Sequence, residues 1–502
     1  MRGVLSRFEV RLCAGLVALA FLVRWPTFIR RIFDPDEAAI GVQGLVVRSG
    51  GTLYQDIFDR KPPLPPLTYA LSFGITDSTD IRPLRVFVTL CLAGAAIVVA
   101  LDAHRRHRPP GDSLRTDDVA RARSAAWWAG VLLITGAMAL WPADAGSANY
   151  AHFALLPGAA AVVWSRRRGL GWAVAAGAVL GLAILSRQSW ILGSVPALYA
   201  AWRAGRWRQA AALATAAVAV VATTGLYAPL GGFWEWNFAN SPGFVFAPAG
   251  LGVSTVRGLA SLGGFVMFHV TIVACLVVAW RRNPPYRKGL ADLDLWLWLL
   301  TGCAAVAAGL RFFGHYWLQV VPAAVVLAAP VAAGLAARWR RWAIVGLVVP
   351  GLAAFALLFV PGSFRHRPDT GPLAAAVDEL TAPGDRVLVW GSYPELLVAA
   401  DRLPGGGLVH MDFVTGRSGG RDDPAQTLAD ATPGALDIVL RSVAEHPPVL
   451  ILDTSTTDDL GYERYPLSIV PQIAELVAAD YTRVGEVSGV TIYRRNGQTQ
   501  VP

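Results

Sequence analysis

The sequence is short of charged residues. Asp, Glu, Lys and Arg make up 16% of its 502 positions, whereas soluble domains usually carry about a quarter. Hydrophobic residues supply 54% of the chain, and the mean hydropathy is +0.45. This composition argues against a soluble globular protein and predicts a polytopic α-helical membrane protein.

A single basic face is also missing, although the formal net charge is +9. The charges interrupt apolar stretches instead of clustering, so we expect no nucleic-acid partner. Cysteine is scarce as well, and the four cysteines show neither a metal-ligand spacing nor a disulfide framework. All lie in apolar stretches, where small buried side chains are expected: Cys13, Cys91, Cys275 and Cys303.

Several familiar catalytic motifs are absent. The sequence contains no His/Glu helix motif, no P-loop and no Ser nucleophile elbow. Gly405–Gly407 follow no predicted strand and open no predicted helix, which argues against a dinucleotide-binding loop. The N-terminal apolar run lacks a small-residue cleavage site and ends at Arg24-Trp25-Pro26. It therefore predicts a retained first transmembrane helix rather than a signal peptide.

Long apolar runs recur through the first 360 residues. Each is long enough to cross most of a hydrocarbon core of about 30 Å. The run at 189–202 is the shortest, and its boundary with the preceding run is the least distinct. We place about eleven transmembrane helices near residues 9–27, 82–101, 125–142, 149–164, 169–186, 189–202, 208–230, 257–280, 293–310, 315–336 and 341–360.

Orientation follows from the distribution of Lys and Arg, because cytoplasmic loops carry an excess of both. Alternate loops hold 19 of these residues and are predicted to be cytoplasmic: 102–124, 165–168, 203–208, 281–292 and 337–341. We expect a multi-pass protein of the plasma (inner) membrane with a cytoplasmic N-terminus. The opening loop 28–81 and everything after residue 361 are then extracytoplasmic.

The composition changes near residue 361. Residues 1–360, with loop 28–81, are predicted to form the transmembrane domain, and 361–502 a soluble extracytoplasmic α/β domain. Apolar runs between turn residues predict strands and helices in this second part. The strands are 386–390, 449–452 and a hairpin of 482–487 with 490–495 through Ser488-Gly489; the helices lie near 395–402, 424–445 and 468–479.

Asp34-Pro35-Asp36-Glu37 in the opening loop is typical of a helix start. Asp34 suits the N-cap, Pro35 the first helical position, and Glu37 the reciprocal partner of a capping box. Asp36 has no required structural task in this arrangement. A carboxylate at a helix start just outside the bilayer is suited to accept a proton from an incoming hydroxyl group.

A second charged element, Asp59-Arg60-Lys61-Pro62-Pro63, precedes the next apolar run. Its prolines are suited to end one structural element before another begins. Adjacent cations at a membrane surface also suit nonspecific contact with lipid headgroups. The sharper alternative is that Arg60 or Lys61 stabilises a phosphate that leaves during the reaction.

Three further groups are candidates for substrate binding, each with a plainer alternative. His315 with its aromatic neighbours is more typical of a membrane-interface belt, and the tryptophans fit such a belt too. Arg187 lies between two apolar runs and is costly there unless it is paired or hydrated. The candidates are Arg311, His315, Tyr316, Arg187, Trp234 and Trp236.

Together these elements resemble the GT-C glycosyltransferases, in the branch of protein O-mannosyltransferases and lipid A aminoarabinose transferases (glycosyltransferase family 39-like). Asp36-Glu37 resembles the acidic pair of the first outer loop in those families. Phe58–Leu64 is similar to their His- or Lys-Pro-Pro-Leu element. Gly314-His315-Tyr316 and Trp390–Leu396 look similar to family segments too. The resemblance touches most of the chain.

The resemblance implies a GT-C-like fold, a polyprenyl-phosphate-linked sugar as donor and an extracytoplasmic acceptor hydroxyl. It implies that Asp36 is the general base, supported by Glu37, and that Lys61 binds the donor phosphate. Charge alone extends the phosphate role to Arg60. Some relatives hold a divalent metal; this sequence offers no defensible ligand set, so no metal is assigned and a divalent ion stays open.

Two other functions stay open at the level of sequence. A lipid or sugar transporter predicts inverted repeats and broken helices at mid-membrane, and no internal repeat is evident. A non-catalytic scaffold for envelope assembly would keep the architecture without activity. Retention of Asp36, Glu37 and Lys61 favours the transferase, a mannosyltransferase-like cell-envelope enzyme of the membrane.

Overall fold

The structure is a computed structural model and describes residues 6–29, 34–107, 116–140, 142–239, 251–282, 292–357, 369–417 and 428–497. The chain is mostly helical. Its helices are α1 Arg7–Arg24, α2 Pro35–Arg48, α3 Leu64–Thr76, α4 Arg82–His107, α5 Thr116–Met138, α6 Pro142–Gly146, α7 Tyr150–Ser165, α8 Leu170–Ser186, α9 Ser194–Ala222, α10 Leu230–Trp234, α11 Leu251–Phe268, α12 Val270–Arg282, α13 Leu293–Ala307, α14 Val321–Ala333, α15 Ala337–Leu357, α16 Thr370–Leu380, α17 Pro394–Ala400, α18 Asp412–Thr415, α19 Ala435–Glu445 and α20 Pro471–Asp480. The strands are β1 Arg386–Trp390, β2 Leu403–Pro404, β3 Leu450–Asp453, β4 Tyr481–Val487 and β5 Val490–Arg495.

Helices occupy the described parts of the apolar runs, but three runs differ from straight spans. The run 257–280 breaks between α11 and α12, which meet at an angle of 90°. The runs 189–202 and 208–230 share α9, in which Gly205 and Arg206 leave the helical backbone region. Arg206 has φ of +60°, which a right-handed helix does not allow, so the helix is kinked at this point.

Two helices in the described part of the chain are long and apolar enough to cross a membrane alone. They are Arg82–His107 and the bent stretch Gln188–Leu226, and the broken pair α11–α12 adds a third if it is one span. The other apolar helices are shorter, among them α7, α8, α13 and α14. The count of about eleven spans therefore stays a prediction.

The chain divides into two compact units. Unit 1 contains Met1–Arg30, Leu84–Thr223 and Ser254–Ser363, and unit 2 contains Arg31–Pro83, Thr224–Val253 and Phe364–Pro502. The opening loop thus forms one compact unit with the C-terminal residues, whereas the sequence grouped it with the transmembrane part. The division of the chain into a transmembrane domain up to residue 360 and an extracytoplasmic domain after it stays a prediction.

Small residues bring helices together in unit 1. Helices α8 and α9 pack closely, and Gly181 of α8 faces Val220 of α9. A Cβ added at Gly181 would lie 2.7 Å from the Val220 Cβ, so only glycine allows this approach. Small residues at helix contacts are typical of membrane proteins, because close backbone approach increases van der Waals contact.

Unit 2 contains a five-stranded sheet of order β2-β1-β3-β5-β4. Strands β1, β2 and β3 are parallel, while β5 pairs antiparallel with β3 and β4. The predicted strands and the hairpin are confirmed, and Ser488 and Gly489 turn the chain with φ of +52° and +77°. These values match the turn that two-residue hairpins favour.

The short strand β2 was missed, and the expectation for Gly405–Gly407 was wrong in part. These glycines directly follow β2 and open no helix before α18. Their small size allows close contacts, since a Cβ at Gly405 would lie 2.8 Å from the Pro448 Cβ. The Gly407 carbonyl accepts a hydrogen bond from the Phe58 amide at 2.9 Å, which attaches the opening loop to this segment.

The cysteine prediction holds for two positions. Cys91 and Cys275 are buried, Cys13 is half-buried and Cys303 is exposed. Cys303 lies on α13, so its exposed side faces outward from an apolar helix. All four are free thiols.

Candidate functional site

The start of α2 is fixed by a capping box, as the sequence predicted. The Asp34 side chain accepts hydrogen bonds from the amides of the first turn, including that of Asp36 at 3.1 Å. Glu37 returns the contact, because its carboxylate accepts the Asp34 amide at 3.3 Å. Glu37 is fully buried, so its carboxylate is committed to the helix start.

Asp36 is left half-buried in the first turn of α2. Its negative charge contributes to the raised pKa of the buried Asp59 carboxyl group. The helix dipole favours a negative charge at this position. Asp36 is thus an acidic group held at a helix start beside a second acid.

Asp59 is the buried acid of the cluster, with 5% exposure. Its carboxylate accepts hydrogen bonds from the Gln43 side chain at 3.0 Å and the Arg60 amide at 2.7 Å. Burial raises the pKa of Asp59, the charges of Lys61 and His410 act against this rise, and Asp36 adds to it. Opposed charges therefore surround one buried carboxyl group.

Lys61 lies at the end of this element and is half-buried. Its backbone carbonyl accepts the Tyr54 hydroxyl at 2.7 Å, and burial raises the pKa of that hydroxyl. Pro62 and Pro63 follow, and α3 begins directly after Pro63. The prolines and the Tyr54 contact fix the backbone from which the ammonium group extends.

Arg60 is more buried than its neighbour, with 8% exposure. Its guanidinium lies over the Phe413 ring, 4.9 Å from the centroid, and donates to the Thr432 hydroxyl. Burial lowers the pKa of Arg60 to about 10, and the charges of Asp59 and Asp412 oppose this shift. The side chain keeps its positive charge at neutral pH.

The two candidate tryptophans occupy different surroundings. Trp236 is 3% exposed and packs between Phe58 and Phe413, with ring centroids 5.2 and 5.5 Å away. Trp234 is 63% exposed and stacks on Phe238 at 5.1 Å. Trp234 therefore offers an accessible aromatic face. Trp236 instead packs against Phe58 of the opening loop and against Phe413.

The remaining candidates lie in unit 1. His315 is 5% exposed, and its Nδ1 lies 2.5 Å from a carboxylate oxygen of Asp144. Gly314 makes room for this pair, because a Cβ there would lie 2.5 Å from the other Asp144 oxygen. This contact with Asp144 orients the His315 ring.

Arg187 finds partners that reduce the cost of its burial. Its guanidinium donates to the Ser189 hydroxyl at 3.0 Å and lies 4.1 Å from the Tyr316 ring centroid. Ser189 in turn donates to the Gln319 side chain at 2.8 Å. Arg311 is also buried in this unit. His315, Tyr316 and Arg187 are thus parts of one polar region of unit 1.

Several residues that surround Asp36, Arg60 and Lys61 in unit 2 were not predicted from the sequence. Asp59 was quoted within its motif without a role, and three residues of the C-terminal part gave no local signal: His410, Phe413 and Thr432. Asp144 of unit 1 was also missed, although a lone acid between two apolar runs was a usable signal. Within the residues that the structure describes, no three His, Cys, Asp or Glu side chains gather as metal ligands.

Comparison with solved structures identifies the architecture. The crystal structure of ArnT from Cupriavidus metallidurans bound to undecaprenyl phosphate matches 98% of this chain and 99% of its own, with a TM-score of 0.62 and 14% identity. The apo state of ArnT matches 96% and 97%, with a TM-score of 0.59 and 15% identity. ArnT and an archaeal oligosaccharyltransferase that also matches are both GT-C superfamily glycosyltransferases. The chain has a GT-C-like fold.

The GT-C-like fold agrees with the resemblance that the loop motifs implied. The oligosaccharyltransferase of Archaeoglobus fulgidus in the apo form matches 97% of this chain and 74% of its own, with a TM-score of 0.52 and 12% identity. No protein-family model and no curated protein matches the sequence. At these identities the likeness establishes the fold, and function depends on the site.

Proposed function

We propose that the protein is a membrane glycosyltransferase. It would move a sugar from a polyprenyl-phosphate-linked donor to a hydroxyl group of an extracytoplasmic glycan, lipid or protein. One observation carries the proposal: the half-buried Asp36 and Lys61 belong to one compact unit with the buried Asp59, whose pKa their charges shift in opposite directions. A carboxylate and an ammonium group fit the two needs of this reaction, a base and a ligand for the leaving phosphate.

In the proposed reaction the acceptor oxygen attacks the anomeric carbon of the donor sugar. Asp36 takes the hydroxyl proton as the new carbon–oxygen bond forms. The bond between the anomeric carbon and the phosphate oxygen breaks, and the phosphate leaves with the electron pair. Lys61 stabilises its charge. A single displacement of this kind inverts the anomeric configuration.

This chemistry needs no second carboxylic acid to protonate the leaving group. A phosphate leaves far more readily than an alkoxide, whereas glycoside hydrolases typically need a pair of carboxyl groups. Glu37 supports Asp36 by holding the start of α2. Arg60, for which charge alone predicted phosphate binding, is buried against Phe413, and this contact supports a positioning role.

The other candidates are proposed to contact substrate. The exposed Trp234 ring is suited to stack on the face of a sugar. The buried Trp236 supports the opening loop through its contact with Phe58. In unit 1, His315, Tyr316 and Arg187 offer hydrogen-bonding and positively charged groups for the donor or acceptor. Arg311 adds a further positive charge there.

The proposed setting is the plasma (inner) membrane. A donor with a lipid tail suits a reaction centre at the bilayer surface, and the structure of ArnT with undecaprenyl phosphate supports a lipid-linked donor. No three metal-binding side chains gather among the described residues, and no step of the proposed reaction is assigned to a metal ion.

The decisive experiment measures sugar transfer by the purified protein. With a labelled polyprenyl-phosphate sugar, we expect transfer to acceptor or slow hydrolysis, and Asp36→Asn should abolish both. Asp34→Asn is the matched control, because asparagine is an equally good N-cap and should preserve α2. Thermal unfolding of both variants verifies the fold.

Each outcome separates the alternatives. Full activity of Asp36→Asn would show that this carboxylate is not the base. Unchanged donor binding by Lys61→Ala would exclude its phosphate role. A wild-type protein that binds the donor without forming product is a scaffold, and one that moves substrate across vesicles without a glycosidic product is a transporter.

A further inference from the structure

Arg60 contacts the C-terminal residues in two ways. Its guanidinium covers the Phe413 ring and donates to the Thr432 hydroxyl. The opening loop and these two residues belong to the same compact unit although more than 350 positions separate them in sequence. A planar guanidinium suits this double contact, because it stacks on a ring and donates from its edge at once.

Phe413 and Thr432 form one rigid surface. The Thr432 amide donates to the Phe413 carbonyl at 2.7 Å, and both residues are 4% exposed. The Phe413 ring is held on other sides by Trp236 at 5.5 Å and by the stacked His410 ring at 4.6 Å. Arg60 therefore contacts a surface whose geometry other contacts already fix.

The residues just before Arg60 are also anchored. The Phe58 amide donates to the Gly407 carbonyl at 2.9 Å, and Asp59 accepts from Gln43 on α2 at 3.0 Å. Arg60 adds the next attachment point along the chain, directly before Lys61. The position of the Lys61 backbone consequently depends on the C-terminal residues.

We propose that Arg60 is a positioning residue: its contacts with Phe413 and Thr432 hold the neighbouring Lys61 where the donor phosphate binds. The inference deepens the proposed function and rests on it for the identity of the donor. Arg60 itself is 8% exposed. Its Nη2 donates to Thr432 and its guanidinium covers the Phe413 ring, so both contacts direct the side chain towards the C-terminal residues.

The first test does not depend on activity. The chain has two lysines, Lys61 and Lys288, so the rate of amine labelling at Lys61 can be read by mass spectrometry with Lys288 as internal reference. Loosening the loop should raise the relative labelling of Lys61 by about threefold or more in Arg60→Gln, Thr432→Val and Phe413→Leu. Arg483→Gln, which removes an exposed arginine of a surface ion pair on β4, is the matched control and should change nothing.

The second test measures the donor KM and kcat of the same variants. A positioning role predicts that Thr432→Val and Arg60→Gln raise the donor KM by similar factors, and that the double variant is less than additive. Arg60→Lys should not rescue, since an ammonium group cannot stack and donate as a guanidinium does. A direct phosphate ligand would be rescued in part by lysine.

The results overturn the inference in two cases. One is unchanged Lys61 labelling in both Thr432→Val and Phe413→Leu. The other is a donor KM that rises in Arg60→Gln but not in Thr432→Val, which would make Arg60 a phosphate ligand. If the wild type transfers no sugar, the proposed function fails while the labelling result still decides the positioning role.

Discussion

Four consecutive residues, Phe58 to Lys61, have four different sets of contacts. The Phe58 backbone binds Gly407, the Asp59 side chain binds Gln43, the Arg60 guanidinium binds Thr432, and the Lys61 carbonyl binds Tyr54. The motif alone suggested two equivalent cations. Their different burial arises from partners that lie far away in sequence.

The raised pKa of Asp59 leads to a prediction about pH. An acid whose pKa is higher in the folded than in the unfolded protein opposes folding once the unfolded chain ionises. The resulting loss in the free energy of unfolding is absent at a pH below the pKa of Asp59 in the unfolded chain. It grows as the pH rises from that value to the pKa in the folded protein, and it is constant at higher pH. We therefore expect Asp59→Asn to raise the unfolding temperature near about pH 7 and to have little effect near about pH 4.

The measurement is thermal unfolding of purified wild type and Asp59→Asn across this pH range. Asp56→Asn is a suitable comparison, since Asp56 is an exposed acid of the same loop. A gain that is equal at every pH would contradict the titration argument. A loss at neutral pH would mean that attraction to Lys61 and His410 outweighs the burial of the carboxylate.

Among the structural elements, those with local signals were predictable. The capping box of α2 and the Ser488-Gly489 hairpin depend on residues within a few positions of each other. Their hydrogen bonds form inside one element, so local sequence specifies them. The strand β2 and the 90° bend between α11 and α12 depend on neighbouring elements and were missed.

A buried arginine of α1 joins this helix to two others of unit 1, α4 and α6. Arg24, the last residue of α1, is fully buried and donates to the Thr89 hydroxyl at 3.0 Å. It also donates to the carbonyls of Ala145 at 2.6 Å and Gly146 at 2.8 Å, at the end of α6. These carbonyls lack partners within a short helix, so Arg24 acts as a cap supplied by another element.

Replacement of Arg24 should therefore be costly. We expect Arg24→Met to lower stability by about 3 kcal/mol or more, because several buried acceptors lose their donor at once. Arg11→Gln is the control, since Arg11 is exposed on the same helix. Detergent-solubilised variants are compared by thermal unfolding, and equal unfolding temperatures would show that other groups satisfy the α6 carbonyls.

At the scale of the whole molecule, an ion-pair network joins three of the segments that are predicted to be cytoplasmic. Arg106 pairs with Asp102 at 3.0 Å, and Arg166 pairs with Asp292 at 3.5 Å and with Asp294 at 3.2 Å. Arg106 also lies 3.9 Å from Asp292. Three segments for which the Lys and Arg count predicted one side of the membrane thus meet in unit 1.

The orientation itself can be tested by reporter fusions. Alkaline phosphatase fused after the last residue should be active in whole cells, because the C-terminal part is predicted to be extracytoplasmic. The same enzyme inserted within loop 102–124 should be inactive, while a fluorescent protein there should fold and fluoresce. The reverse pattern at both positions would show that the predicted orientation is inverted.

The sequence by itself determined the helical character of the apolar runs, the α/β character of the C-terminal part and the helix start at Asp34. Each depends on composition or on neighbours within a few positions, which local patterns encode directly. Only the tertiary structure decided that Arg60 is buried against Phe413 and Thr432, that Asp144 pairs with His315, and that the opening loop forms one unit with the C-terminal residues. Those contacts join residues more than a hundred positions apart, so the cost of burying their charges is offset by partners that no local pattern specifies.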